Sequence, residues 1–161
     1  MREYLVKQHF TFGGEKFTIS DSQGRAAYFV EGSFFEIPKR FIISDSSGNP
    51  ISHITKTFLT FLPQFTIEMA NGHSFYLKKE FTFFKDRYKV ENLGLVLKGN
   101  IWDLEFSLYD AEGQLVAVIS KELLHLTSHY RVAIHIEHYQ DLVMSLVIAL
   151  DYVEMLENTS N

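Results

Sequence analysis

Asp141-Leu-Val-Met-Ser-Leu-Val-Ile-Ala-Leu-Asp-Tyr-Val-Glu-Met-Leu156 decides the fold. The composition predicts a helix over 141–156, and from Leu142 to Leu150 that helix offers no polar stripe. A helix that is apolar all round must be covered on every side. At sixteen residues it is too short to cross a bilayer, which takes about 20 apolar residues. The preceding 140 residues must therefore wrap around it.

Those residues repeat themselves. Phe17-Thr-Ile-Ser-Asp-Ser-Gln-Gly24 returns as Phe41-Ile-Ile-Ser-Asp-Ser-Ser-Gly48 and again, degraded, as Phe65-Thr-Ile-Glu-Met-Ala-Asn-Gly72, at a spacing of 24 residues. Phe106-Ser-Leu-Tyr-Asp-Ala-Glu-Gly113 is a fourth copy, and Tyr88-Lys-Val-Glu-Asn-Leu-Gly94 a shorter variant. Such a period marks one supersecondary unit used repeatedly. Phe65, Ile67 and Met69 alternate with Thr66, Glu68 and Ala70, the period-two pattern of a half-buried strand. Asp-x-x-Gly supplies the turn: Asp caps it and Gly takes the left-handed position. The ligand spacing of a calcium loop is missing, so these are plain turns.

The unit is a β-hairpin, and the segments number twelve, near 4–9, 16–20, 25–31, 40–44, 50–57, 64–69, 73–80, 87–91, 94–99, 103–109, 115–122 and 129–136. Hairpin connections make the sheet antiparallel. Strands of six or seven residues span about 20–23 Å, and the helix about 24 Å. A twelve-stranded closed barrel is too wide for its own side chains to fill, and the helix is the plug it needs. The expectation is a mainly antiparallel, twelve-stranded closed β-barrel around a central hydrophobic C-terminal helix, as one domain over residues 1–161.

In the second half, Lys98-Gly-Asn-Ile-Trp-Asp-Leu-Glu-Phe-Ser-Leu-Tyr-Asp-Ala-Glu-Gly-Gln-Leu-Val-Ala-Val-Ile-Ser-Lys121, Tyr130-Arg-Val-Ala-Ile-His-Ile136 and the run from Asp141 to Asp151 together resemble the LURP-one-related family. Ile43-Ser-Asp-Ser-Ser-Gly-Asn-Pro-Ile-Ser-His-Ile-Thr-Lys56 fits as well. The resemblance covers roughly Tyr4 to Val153. It implies a tubby-like barrel around a central helix, in a superfamily shared with phospholipid scramblases. Tubby's lipid-binding residues have no match here, nor do the Cys-rich segment and terminal membrane helix associated with scramblases. Activity carried over from either is fold-level analogy.

Composition narrows the rest. The chain is 46% apolar with a formal charge of -5 and no cysteine. Bulk charge offers nothing to nucleic acid. Disulfides, thiolate metal sites and a Cys nucleophile are out of reach. Met1 to Lys7 lacks the apolar run of a signal peptide, so a cytoplasmic protein, peripheral at the membrane at most, is expected. There is no Gly-x-Ser-x-Gly elbow and no nucleotide fingerprint. Gly13-Gly-Glu-Lys16 reads as a tight turn. His125, His129, His135 and His138 spread along a strand about 20 Å long, too far for one metal ion. No cofactor is expected. Phe10, Phe12, Phe34, Phe35, Phe81, Phe83 and Phe84 read as barrel packing, with an exposed Phe81–Phe84 loop as the alternative.

In an up-and-down barrel the Asp-x-x-Gly turns fall at one rim, with Asp21, Asp45, Asp110 and Glu112. The other rim receives Lys16, Lys39, Arg40, Lys56, Lys78, Lys79, Lys85, Arg87, Lys98 and Lys121, diluted by Glu15, Glu31, Glu36, Glu80, Asp86 and Glu122. The functional expectation is a non-enzymatic binding module that meets an anionic lipid headgroup or a partner protein at the basic rim, through Lys56, Lys78, Lys79, Lys85, Arg87 and Lys121. Two alternatives stay open. One is an enzyme at a barrel mouth using His125, His129, Glu137 and His138, and the other is a structural protein that oligomerises through exposed aromatics.

Overall fold

Alternating apolar residues wet one face of each strand and dry the other, and the strands then share the dry face. In the computed structural model, residues 1–7, 15–33, 40–57, 62–80, 87–101, 103–124 and 127–159 are described. The strands are β1 (Arg2–Lys7), β2 (Glu15–Asp21), β3 (Ala26–Ser33), β4 (Arg40–Asp45), β5 (Pro50–Lys56) and β6 (Gln64–Met69). They continue as β7 (Ser74–Glu80), β8 (Arg87–Glu91), β9 (Val96–Asn100), β10 (Glu105–Tyr109), β11 (Leu115–Leu124) and β12 (Thr127–Ile134). A 3-10 turn, Glu137–Tyr139, leads into α1, Gln140–Thr159. The twelve expected segments are found. The helix is longer at both ends than its apolar run.

All strands join one antiparallel sheet in the order β8-β7-β6-β5-β4-β3-β2-β1-β12-β11-β10-β9. Its two edges, β8 and β9, are consecutive in the chain and linked by only four residues, 92–95. Four residues reach at most about 14 Å, so the sheet rolls round until its edges nearly meet. Inside lies α1: from Val143 to Val153 every residue is buried, which only a helix covered on all sides achieves. Phe41 and Tyr152 bring their ring centroids to 3.8 Å, and Phe65 meets Tyr152 edge-on at 6.0 Å. Ser52 and Ser145, both without solvent contact, share a hydrogen bond of 2.6 Å. That bond fixes how deep the helix sits, because shifting it would strand two buried hydroxyls at a cost of about 1–3 kcal/mol each. Asp151 is only 2% exposed and is not without a partner.

One expectation is corrected: the roll is not a closed barrel. Among the described residues no ladder joins β8 to β9. Glu91 pairs with Tyr76 of β7, and Val96 with Tyr109 of β10. The reason lies in the link. Asn92 and Gly94 both take positive φ, 62° and 82°, and turn Leu93 between them into the core, where it is 5% exposed. The Asn92 side-chain amide donates to the Ser74 carbonyl oxygen at 2.6 Å. A link that buries its middle residue does not make the tight hairpin turn that would pair its flanks.

The repeated turns are alike in detail. Asp21 Oδ1 accepts the N–H groups of Gln23 and Arg25, Asp45 Oδ1 those of Ser47 and Asn49, and Asp110 Oδ1 those of Glu112 and Gln114. Gly24, Gly48 and Gly113 follow at φ of 78–85°. The Arg25 backbone N–H is the main influence holding the Asp21 carboxyl below its ordinary 3.8, and that of Asn49 does the same for Asp45. A carboxyl held low in the folded chain stabilises the fold above its unfolded value, and that stability is lost as pH falls through the folded value. The thermal midpoint should therefore decline below pH 3.8. A double Asp21→Asn, Asp45→Asn variant keeps the Oδ1 acceptors, loses the Oδ2 acceptors of Arg25 and Asn49 and cannot titrate, so it should start from a lower midpoint and decline less steeply. Equal slopes in a pH series of melts would refute the assignment.

Candidate functional site

An even alternation of strands sends every Asp turn to one end of the roll, and α1 begins at that same end. The other end collects the remaining connections. The two ends offer different chemistry.

At the turn end two clefts flank the start of α1. A polar one of about 740 Å³ is bordered by Arg2, Glu3, Asp21, Arg25, Asp45 and Asp141. Its cations are already engaged, Arg25 on Asp21 at 2.9 Å and Arg2 on Glu137 at 2.6 Å. Beneath it Tyr28 donates its hydroxyl to Asp141 Oδ1 at 2.9 Å and accepts from Gln140 Nε2 at 2.6 Å. Burial, reinforced by the Asp141 charge, pushes the Tyr28 phenol far up, so it stays a neutral donor. Tyr4 lies edge-on to it at 5.8 Å and is raised by burial too.

The second cleft, about 480 Å³, lies between the first turn of α1 and the β6–β7 turn. Ile51, Met69, Leu93 and Leu142 make its apolar part, while Asn71, His73, His138, Tyr139 and Asp141 contribute polar groups. His73 Nε2 lies 3.3 Å from the Leu93 carbonyl oxygen, and its backbone N–H donates to Asn71 Oδ1 at 2.9 Å. His138 lies edge-on to Tyr139 at 5.1 Å. Asp141 borders both clefts. His73 escaped sequence reasoning: it lies 65 residues before His138, and only the rolling of the sheet unites them.

At the opposite end the expected basic residues divide. Lys56 closes β5 and Lys79 lies near the end of β7, so these two strands bring a lysine to the same end, where Arg87 opens β8. At about 4.8 Å per strand, β5 to β8 span about 14 Å. Lys79 shares its register with inward-facing Phe75 and Leu77. Lys78 does not join them. It stands on the outer wall, its ammonium 2.8 Å from Glu91 Oε2 and 5.6 Å from the Tyr76 ring centroid. That hydrogen bond is the main cause holding the Glu91 carboxyl low. Lys121 is exposed on β11, separated from β8 by the seam, β9 and β10. Lys98 is a mid-strand residue of β9, 4.8 Å from the Tyr109 ring centroid, not a rim residue. Lys16 is engaged by Glu31 at 3.2 Å. Lys39, Lys85, the Phe81–Phe84 loop, Phe10, Phe12, Phe34, Phe35 and His125 lie outside the described residues, as do the side chains of Arg87 and His129.

Of the residues named for an enzyme, His129 is set apart in the fold from Glu137 and His138. His129 pairs with Lys7 at the basic end of β12, whereas Glu137 and His138 follow the other end of that strand. Glu137 is engaged by Arg2. Among the described residues no three His, Asp or Glu side chains gather as metal ligands would, and no helix is long and apolar enough to cross a membrane.

The comparisons with known proteins agree with one another. A model of the LURP-one-related family matches residues 2–151. An uncharacterized protein of Bacillus subtilis (strain 168), YxjI, is 28% identical over 153 residues, covering 95% of this chain and 94% of its own. In three dimensions the chain is similar to an Arabidopsis thaliana protein solved by X-ray crystallography, with a TM-score of 0.61 and 15% identity over 95% of this chain and 91% of that one. That likeness speaks for the fold alone.

Proposed function

Because the chain belongs to the LURP-one-related family, we propose that it is a non-enzymatic binding module whose basic end meets anionic phospholipid headgroups. One observation carries the reading: Lys56, Lys79 and Arg87 share an end on β5, β7 and β8. Cations clustered over that distance act together on a charged surface, each contributing about 1 kcal/mol near an anionic leaflet. Glu31 at the same end is neutralised by Lys16. The helix in this reading is core, not anchor, and the protein works in the cytoplasm, at the membrane surface.

Sedimentation with vesicles tests it. The wild type should bind vesicles containing phosphatidylserine or phosphoinositide and leave pure phosphatidylcholine alone, and added salt should weaken the binding. Reversing Lys56, Lys79 and Arg87 to Glu together removes about 3 kcal/mol, a loss of roughly 100-fold or more. Wild-type indifference to lipid charge, or unchanged binding by the triple variant, would sink the reading. Retention of a protein partner by the same end, with no lipid binding, would replace it.

A further inference from the structure

We propose that the 480 Å³ cleft beside the start of α1 is a binding site for a small organic ammonium compound with an apolar body. The size is right: ligand sites run from about 300 to 1,000 Å³. The lining is also of the kind such sites have, mostly apolar with a few convergent polar groups. Ile51, Met69, Leu93 and Leu142 take the body of the ligand.

Charge selects a cation. Among the described residues that line the cleft there is no Lys and no Arg, and Asp141 is the one carboxylate. Tyr28 occupies Asp141 Oδ1. Oδ2 has no hydrogen-bond partner among the described residues, so it is free to accept from an ammonium group. Asp141 is exposed, so its charge is not consumed by a buried ion pair. The positive end of the helix dipole, about half a charge, opposes a cation here, and the full charge of Asp141 in that first turn outweighs it. The Tyr139 ring adds an aromatic face of the kind that attracts ammonium groups. An anion would gain from the helix end alone and would face the Asp141 carboxylate at close range. His73 and His138 add hydrogen-bonding edges to the lining.

The site lies at the turn end, away from Lys56, Lys79 and Arg87, and its test shares no probe with the vesicle assay. Three probes of one shape are titrated by calorimetry at one buffered pH: 2-phenylethylammonium, 2-phenylethanol and 3-phenylpropionate. The ammonium compound should bind tightest and the carboxylate weakest. Asp141→Asn should weaken the ammonium compound by roughly tenfold or more, the worth of one charge-assisted hydrogen bond, and leave the alcohol unchanged. Ala70→Phe, at an exposed turn position bordering the cleft, should block all three probes while the thermal midpoint stays put. Absence of binding by every probe, a carboxylate that binds as well as the ammonium compound, or an ammonium affinity indifferent to Asp141→Asn would each overturn the proposal.

Discussion

Replacing Leu146 by Asp unfolds the protein. Leu146 has no solvent contact and sits mid-helix among Val143, Met144, Val147, Ile148 and Leu150, all buried. Losing the leucine side chain alone costs about 2–5 kcal/mol. Among the described residues no buried cation stands ready to meet the carboxyl that replaces it. It must either stay charged in an apolar interior or take up a proton and remain buried without a full set of partners, and both add several kcal/mol. The sum matches or exceeds the roughly 5–15 kcal/mol that holds a domain together. Leu146→Met conserves volume and should cost less than about 1.5 kcal/mol. The pair separates a wrapped helix from one lying against an outer surface. Circular dichroism melts should show a cooperative transition for Leu146→Met and none for Leu146→Asp. A monomeric, cooperatively melting Leu146→Asp protein would mean that α1 has a wet side after all.

The wrapped helix was legible because the signal is local. Eleven consecutive buried positions, 143–153, are written as an almost unbroken apolar run. The hairpins were legible for a similar reason: each Asp turn is closed within five residues by its own carboxylate. The seam was not. Tyr88 to Glu91 and Val96 to Lys98 flank an Asn-Leu-Gly-Leu link that reads like any other turn. Whether it makes a ladder depends on where Leu93 goes, and that is settled by a core built from distant strands. The basic end was legible in part. Strand parity put Lys56, Lys79 and Arg87 together, but parity along a strand does not say which cation a neighbouring carboxylate captures, and Glu91 captures Lys78. The cleft was least legible. His73, Leu93 and Asp141 come from three separate parts of the chain, and no spacing rule links them.

Gly99 tests the seam from the other side. It sits in β9 at φ 118°, opposite Phe106 of β10. A Cβ there would lie 2.6 Å from the Glu105 carbonyl oxygen and 2.8 Å from the Phe106 Cα. Both are backbone atoms, so no flexible side chain can swing aside. Gly99→Ala therefore suffers twice: about 1–3 kcal/mol for the backbone angle, and about 1–3 kcal/mol for the clash. Gly113→Ala provides the contrast. Its φ is 80°, but a Cβ there meets nothing within 4 Å, so only the first cost applies. A loss of about 3 kcal/mol or more in Gly99→Ala lowers the midpoint by roughly 6–12 °C or more, at about 2–4 °C per kcal/mol for a domain of this size. Gly113→Ala should lose about half as much. Hydrogen exchange should locate the damage. β9 is an edge strand with β10 as its single ladder partner, so protection should vanish first along the β9–β10 ladder and persist between β11 and β12. Equal losses in the two alanine variants would mean that β9 does not press against β10 as closely as described. A strand held from one side only has nowhere to transfer the strain, which is why a single methyl group at the seam should open the roll where it is already unzipped.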